Sequence, residues 1–301
     1  MSQDAPLLTP EEFQEILRPI KLVNPGGDFY REREKKFHET LAFITHILIL
    51  ARSVTKKRPL VLLDCGCGRS YLSFILNAVL HKLGRQAYFI GVDGQPDLID
   101  ACREAQGELG YDNMEFHAGD IHRVAPSRPP DIVYALHACD TATDEAVAVG
   151  LRLRARGVVV VPCCQRFVRR NLKGGHPLRM LSRHSVFKDQ LTVMLTEGAR
   201  VLALEAAGYK VKVITFVSSR YTPKNLMIRA LWQGIPSSAA DDYLALKESF
   251  RFRSALEHLM PEALGLQPGE RADAGRPPIS AKNGKPDMAS SHAAPQKDIG
   301  R

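Results

Sequence analysis

The stretch that most constrains the fold covers residues 60–71 and reads Leu-Val-Leu-Leu-Asp-Cys-Gly-Cys-Gly-Arg-Ser-Tyr. Its first four residues are apolar without a polar break, which is typical of a strand buried on both faces of a parallel sheet. Asp64, Gly66 and Gly68 follow, and Ser70 is a predicted N-cap for the next helix. Because ligands of open α/β sheets bind outside the carboxyl ends of the strands, we expect this turn to bind one.

Strand and helix patterns alternate along the rest of the chain. Predicted strands cover residues 60–63, 87–92, 114–117, 131–136, 157–161, 209–216 and 226–231. The alternation predicts a parallel sheet with helices on both faces. The connection between the last two strands is too short for a parallel crossover, so the final strand is predicted to be antiparallel. The predicted fold class is α/β, a Rossmann-like, doubly wound sheet of seven strands.

The remaining segments predict a division of the chain into three parts. Residues 1–57 hold two predicted helices, 8–18 and 29–52, and form an N-terminal helical cap. Residues 58–265 form the sheet domain, which includes a long helix over 185–207 and another over 241–264. From residue 266 on, Pro, Gly, Ala, Ser and Lys dominate, which predicts a disordered tail.

Composition narrows the class of protein. The chain has 301 residues, 45% of them apolar, so its core needs no disulfide staples. Its six cysteines lie mostly near predicted strand ends, which favours reduced thiols and a cytoplasmic location. No signal peptide or membrane-spanning run is evident, so no membrane partner is expected. The net charge of +8 favours an anionic partner.

Three kinds of ligand compete for the glycine turn. A phosphate-binding P-loop needs a lysine followed by Ser or Thr after the glycines, and none is present. A dinucleotide fingerprint needs a third glycine, where this chain has Tyr71. S-adenosylmethionine carries a cationic amino group and no phosphate. An acid before the glycines, Asp64, therefore favours this third ligand.

Two further acids end the next predicted strands. Asp93 is placed to accept hydrogen bonds from both ribose hydroxyls, and Asp120 from the adenine amino group. Because the carboxyl ends of parallel strands share one edge, these acids and Asp64 are predicted to line one crevice.

The segment Asp-Cys-Gly-Cys-Gly at 64–68 resembles the first motif of class I S-adenosylmethionine-dependent methyltransferases. Further blocks are similar to those of the subgroup that contains the glutathione-S-transferase-C-terminal-domain-containing protein and a ribose-methylating tRNA methyltransferase. These blocks are Lys-Lys-Phe-His-Glu at 35–39, Ala-Leu-His-Ala-Cys-Asp at 135–140, Pro-Cys-Cys-Gln at 162–165 and Thr-Pro-Lys-Asn at 222–225. The resemblance implies S-adenosylmethionine as the cofactor, bound by Asp64, Gly66, Gly68, Asp93, Asp120, Ile121 and Leu136. The zinc-finger elements of the tRNA enzyme have no matching Cys/His spacing here, so its substrate does not transfer.

Chemistry is expected in the loop after the fourth strand, which faces the methyl group in class I enzymes. His137 is the predicted general base, because an imidazole titrates near neutral pH. Asp140 is predicted to orient His137 or to cap the next helix. Cys163 and Cys164 invite a covalent mechanism like that of RNA cytosine-C5 methylases, but packing at the mouth of the crevice is favoured. No metal is predicted.

The basic stretch is the best clue to the substrate. Between Arg152 and Lys188 the chain has ten Lys or Arg and no Asp or Glu. Such charges suit phosphate contacts, although a solvated basic surface is the alternative. Predicted substrate contacts are Lys36, Arg166, Arg169, Arg170 and Lys224.

The leading hypothesis is thus an S-adenosylmethionine-dependent methyltransferase of RNA, either tRNA or rRNA, or of another polyanion. Methylation of a small molecule or a protein stays open, as does a non-catalytic scaffold that binds S-adenosylmethionine or RNA.

Overall fold

The computed structural model describes residues 8–30, 33–138, 141–235 and 237–266. Their strands form one sheet of seven in the order β3-β2-β1-β4-β5-β7-β6. The strands are β1 (Leu60–Cys65), β2 (Ala87–Asp93), β3 (Met114–Ala118), β4 (Ile132–Leu136), β5 (Gly157–Val161), β6 (Tyr209–Thr215) and β7 (Leu226–Trp232). Strands β1 to β5 pair in parallel, and β7 runs antiparallel to both β5 and β6. The predicted fold class is confirmed.

Helices cover both faces of the sheet. They are α1 (Pro10–Leu17), α2 (Arg33–Ala51), α3 (Tyr71–Lys82), α4 (Pro96–Leu109), α5 (Ala142–Arg152), α6 (Arg166–Asn171), α7 (Arg179–Ser182), α8 (Ser185–Ala206), α9 (Ala239–Phe250) and α10 (Leu256–Leu259). Helices α1 to α4 pack on one face, and α5, α8, α9 and α10 pack on the other.

Strand β1 shows why its sequence is apolar without alternation. Leu60 and Leu62 belong to the core on the α1–α4 face, whereas Val61 and Leu63 belong to the core on the opposite face. All four are buried. Since side chains alternate between the faces of a strand, a strand covered on both sides needs apolar residues at every position.

The N-terminal helices share the core of the sheet domain. Thr9 and Glu12 form a capping box at the start of α1, which satisfies two backbone N–H groups that the helix leaves unpaired. The ring of Phe13 meets that of Phe37 of α2 edge to face at 5.1 Å. Helix α2 thereby lies against the sheet, where it reaches the carboxyl end of β4.

The structure corrects several details of the predicted elements. Asp64 lies inside β1 instead of after it. Ser70 does occupy the N-cap position of α3, but with a left-handed backbone and no capping hydrogen bond from its side chain. The basic stretch after β5, for which no helix is predicted before residue 185, contains helices α6 and α7. The predicted helix over 241–264 is broken after α9, because Arg251 takes a left-handed backbone with φ of 51°.

A glycine within β2 lets neighbouring side chains approach the sheet closely. A Cβ atom on Gly91 would lie 2.5 Å from the ring of Phe116 and 3.2 Å from Sγ of Cys67. The position therefore admits no side chain without moving the aromatic core beneath the glycine turn.

Within the described ranges, no helix combines the length and apolar character needed to cross a bilayer. The predicted tail lies outside the described residues.

Candidate active site

The glycine turn between β1 and α3 is held by backbone hydrogen bonds to the neighbouring strand. The N–H groups of Gly66 and Cys67 donate to the carbonyl oxygen of Val92, at 2.8 and 3.0 Å. Gly66 and Gly68 have φ of 70° and 57°, a region that disfavours other residues. A Cβ atom on Gly68 would meet nothing within 4 Å. The turn therefore presents open space above Gly68.

Asp64 lies beneath this turn and is buried. Its Oδ2 accepts hydrogen bonds from the hydroxyls of Ser73, at 2.6 Å, and Ser70, at 3.2 Å. The Ser73 hydroxyl in turn lies 2.8 Å from that of Tyr134. Burial raises the pKa of Asp64 from 3.8 to about 7, although both serine hydrogen bonds oppose the shift. A cationic group placed nearby would favour its ionised form.

Asp93 locks the turn to the end of β2. Its Oδ2 accepts the N–H of Gly68 at 2.9 Å, and its Oδ1 accepts the N–H of Gln95 at 2.9 Å. Each carboxylate oxygen keeps a second lone pair. The predicted ribose contact is therefore compatible with the structural role of Asp93 in the turn.

The other predicted cofactor contacts surround the same turn. Asp120 follows β3, is exposed and lies 3.7 Å from the guanidinium of Arg123. The buried Ile121 comes within 3.8 Å of a Cβ atom built on Gly66. Leu136 ends β4 and is partly buried.

These three carboxylates and the open turn fit S-adenosylmethionine. Asp64, Asp93 and Asp120 belong to or follow three adjacent parallel strands, so their carboxylates lie at one edge. They offer acceptors for an amino group and hydroxyls. The open space above Gly68 gives such a ligand room to approach the backbone.

His137 lies directly after β4 and has a left-handed backbone with φ of 60°. Such a conformation is strained in a residue other than glycine, and it is found at functional sites. Its Nε2 lies 2.7 Å from Oε2 of Glu39, which is buried on α2. With Glu39 ionised, Nε2 carries the proton, and Nδ1 is the nitrogen left to accept one. Ala138, the next residue, would contact a Cβ atom on Gly66 at 3.3 Å.

A cavity of about 350 Å³ opens beside this pair. It is lined by Lys35, Lys36, Glu39, His137, Tyr221, Thr222 and Lys224. Three segments far apart in sequence thus meet: helix α2, the end of β4 and the β6–β7 loop. Two predicted substrate contacts, Lys36 and Lys224, lie here. Burial lowers the pKa of Lys36, although the nearby Glu39 and Asp64 oppose the shift.

Tyr221 extends the wall of this cavity. Its ring stacks on that of His38 with centroids 4.6 Å apart. Sequence reasoning named neither Tyr221 nor Glu39 as a site residue. Glu39 nevertheless ends the Lys-Lys-Phe-His-Glu block at 35–39, which carried part of the family resemblance. That block is the sequence feature from which Glu39 could have been predicted as a site residue.

The cysteine pair after β5 is half-buried beside the same loop. Sγ of Cys163 lies 3.7 Å from the carbonyl oxygen of His137 and 3.5 Å from Sγ of Cys164. Asp140, predicted to orient His137 or to cap the next helix, lies outside the described residues, as does Cys139. Over the described ranges, no group of three or more His, Cys, Asp or Glu has the arrangement of a metal site.

A buried ionic cluster supports the segment that follows. Arg200 of α8 donates two hydrogen bonds to Asp144 of α5, at 3.0 and 2.8 Å, and two to Glu197 at 3.0 Å. Glu197 also accepts from Gln165 at 3.1 Å. This cluster joins the end of the Pro-Cys-Cys-Gln block to the helices behind it.

The three predicted arginine contacts lie elsewhere. Arg166, Arg169 and Arg170 are exposed on α6, and none of them lines the cavity beside His137. Arg169 forms an ion pair with Asp189. The predicted substrate residues therefore separate into a pocket pair, Lys36 and Lys224, and a surface group on α6.

A larger concavity, about 1250 Å³, lies at the opposite end of the sheet, beside Pro59, Gln86 and Ala87. Ligands of doubly wound sheets bind at the carboxyl ends of the strands, so the smaller cavity is the candidate site.

Comparison with known families and proteins adds to this geometry. Residues 35–171 match a family model described as a methyltransferase domain. The chain is 24% identical over 209 residues to the glutathione S-transferase C-terminal domain-containing protein of Xenopus laevis, which covers 62% of this chain and 33% of that protein. The human protein of the same name is 31% identical over 151 residues, 42% of this chain and 23% of that protein. The chain thus spans about a third or less of the length of these relatives.

Two solved structures are also similar. Magnesium protoporphyrin IX methyltransferase from Synechocystis PCC 6803, with bound SAH, is 16% identical, covers 74% of this chain and 94% of its own, and has a TM-score of 0.44. An rRNA methylase from Streptococcus thermophilus is 12% identical, covers 64% of this chain and 97% of its own, and has a TM-score of 0.40.

Proposed function

We propose that this protein is an S-adenosylmethionine-dependent methyltransferase that transfers a methyl group to a nucleophile of RNA held beside His137, since residues 35–171 match a methyltransferase-domain model. The observation that carries the proposal is the cavity in which His137, Glu39, Lys36 and Lys224 meet next to the glycine turn. A base and two cations in one pocket suit a proton-bearing nucleophile on an anionic substrate.

The residues proposed to hold the cofactor are those of the turn and the strand ends. Asp64 balances the amino group by its charge, Asp93 accepts from the ribose, and Asp120 accepts from the adenine. Ile121 and Leu136 supply apolar contact. When bound, S-adenosylmethionine supplies a methyl group attached to a sulfonium. Transfer then depends chiefly on how the protein aligns the nucleophile.

His137 is proposed to remove the proton from the nucleophile through Nδ1. The 2.7 Å contact between Nε2 and Glu39 orients the ring and stabilises the imidazolium that forms. Lys36 and Lys224 provide positive charge on the wall of the same cavity. The role proposed for Asp140, to orient His137 or cap α5, stays a prediction.

RNA is favoured as the substrate because of the positive charge of the segment that follows β5. The segment between Arg152 and Lys188 carries ten cations and no acid, and Arg166 and Arg170 are exposed on α6. Phosphate contacts use charges of this kind. We also propose a cytoplasmic location for the protein. The proposed parts of the chain are an N-terminal helical cap (residues 1–57), a methyltransferase domain (58–265) and a C-terminal tail (266–301).

The test combines cofactor binding with acceptor identification. Titration calorimetry should detect S-adenosylmethionine binding by the intact protein and a loss in the Asp93→Ala variant, with Asp112→Ala as the matched exposed control. Labelled S-adenosylmethionine is then incubated with the protein and fractionated cell extract. Label in the RNA fraction, absent with His137→Ala, is the expected result. Label confined to protein or metabolites would contradict the RNA assignment, and absence of binding would contradict the proposal as a whole.

A further inference from the structure

The surface of helices α7 and α8 combines exposed apolar side chains with positive charge. Helix α7 and the first turns of α8 expose Leu178, Met180, Leu181, Val186, Phe187 and Met194. We call these residues the α7–α8 patch. Met180 is 70% exposed, Val186 65% and Met194 72%. Monomeric proteins rarely expose several large apolar side chains together, and such a patch typically marks an interaction site.

The apolar residues of α8 share one side of the helix. At 100° per residue, Val186, Phe187 and Met194 fall within an arc of about 100°. The core-facing side is occupied by Leu195 and Ala199, which are buried. Helix α8 thus packs on the sheet domain with one side and presents a second apolar side outward. Helix α7 packs against α8, and its Met180 and Leu181 are exposed.

Basic residues alternate with the apolar residues of the patch along the sequence. Arg179 and Arg183 belong to or directly follow α7, and Lys188 lies in the first turns of α8. The nearest acid in the sequence, Asp189, is already paired with Arg169 of α6. An occupant that matches this surface needs an apolar stripe flanked by acids.

We propose that the α7–α8 patch docks an acidic amphipathic helix of a partner protein. Methionine, phenylalanine and arginine are the residue types that protein interfaces favour. Methionines adapt to the side chains of a helix laid against them. RNA fits less well, because Phe187 is the single aromatic side chain of the patch and stacking needs aromatic platforms. A second copy of the same patch would bring like charges together.

The probe for the test is a labelled synthetic helix of about 20 residues with leucines at three- and four-residue spacing and glutamates elsewhere. A scrambled peptide of identical composition is its control. Fluorescence anisotropy with the full chain should show at least about tenfold tighter binding of the amphipathic peptide than of the scrambled one. The Met180→Gln/Met194→Gln variant should lose that preference, while Ile235→Gln, which changes an exposed apolar residue elsewhere, should keep it.

Other occupants are separate outcomes of the same series. Equal binding of both peptides would show that the peptides bind by non-specific charge attraction, and it would overturn the proposal. Loss of bulk RNA binding, with unchanged peptide binding, in the methionine variant would assign the patch to RNA instead. Loss of binding to phosphatidylserine vesicles with unchanged peptide binding would assign it to a membrane surface. None of these readouts depends on methyl transfer, so the proposed function stands or fails separately.

Discussion

At the scale of single residues, the site depends on how carboxylates are placed around neutral or cationic partners. Glu39 is buried against His137, and Asp64 is buried against two serine hydroxyls. Burial alone penalises both charges. The partners differ, however: an imidazole can carry a compensating positive charge, whereas the serine hydroxyls stay neutral. The two acids are therefore expected to respond differently to substitution.

Glu39→Gln is expected to lower kcat for methyl transfer by about 10- to 1000-fold, because the neutral amide no longer stabilises the imidazolium of His137. Binding of S-adenosylmethionine, measured by calorimetry, should not change. Glu39→Asp should restore part of the rate. Glu34→Gln is the matched control, because Glu34 lies on the same helix, is exposed and contacts His38 instead. A rate for Glu39→Gln equal to that of the control would exclude Glu39 as a positioning residue.

Asp64 predicts a pH-dependent contribution to stability. Its pKa is about 7 in the folded protein and 3.8 as the reference for the unfolded chain. Between these values the folded state holds a proton that the unfolded state has lost, so stability falls as pH rises. The free energy of unfolding of Asp64→Asn, relative to the original protein, should therefore increase by on the order of 1 kcal/mol per pH unit in this window.

Urea unfolding at a series of pH values measures this difference. Asp112→Asn, a change at an exposed acid, is the control and should show no comparable trend. A difference for Asp64→Asn that stays constant across the window would mean that the carboxyl group is already ionised in the folded protein.

At the scale of helices and strands, the buried cluster of Arg200, Asp144 and Glu197 decides how α5 and α8 meet. Each of its three side chains is almost fully buried. A buried ion pair adds little compared with apolar packing, but removing one partner leaves an uncompensated charge. The cluster consequently specifies the pairing of these helices and, through Gln165, the start of the segment that carries α6 and α7.

Arg200→Met is expected to lower the free energy of unfolding by about 3–5 kcal/mol, because two buried carboxylates lose their cation. Denaturant unfolding followed by circular dichroism measures this loss. Lys21→Met removes the exposed pair with Glu104 and should cost less than about 1 kcal/mol. Similar losses in the two variants would show that the cluster is accessible to water.

At the scale of the whole molecule, the net charge is +8, and the positive charge is unevenly distributed along the chain. The candidate site and α6 lie towards the carboxyl ends of the parallel strands, whereas Lys56 and Lys57 precede β1 at the opposite end. If the net charge alone attracted RNA, removing a charge would change RNA affinity equally at either end of the sheet. If RNA phosphates contact the end that carries the candidate site and α6, removing a charge there would have the larger effect.

The double variant Arg166→Gln/Arg170→Gln is expected to reduce the slope of log affinity for bulk single-stranded RNA against log salt by about 0.7 for each phosphate that is no longer neutralised. The Lys56→Gln/Lys57→Gln variant removes the same charge and should leave the slope nearly unchanged. Filter binding at several salt concentrations measures both. Equal slopes in the two variants would indicate attraction by net charge without a defined RNA surface.

Local sequence determined the architecture of this protein. The uninterrupted apolar run of β1, the acid and glycines after it, and the short β6–β7 connection each follow from rules that act over a few residues. They predicted the sheet, its antiparallel last strand and the position of the glycine turn. Their limits appear at Ser70, whose hydroxyl bonds Asp64 instead of capping α3.

Only the tertiary structure decided which distant residues meet. Glu39 and His137 are 98 positions apart, and no periodicity links a residue on α2 to a loop after β4. Likewise, composition revealed the basic stretch, but its folding into α6 and α7 separated the arginines from the pocket and exposed the apolar α7–α8 patch. The physical reason is that the glycine turn is encoded by backbone preferences within one segment, whereas the pocket beside it depends on the packing of α2, β4 and the β6–β7 loop against each other.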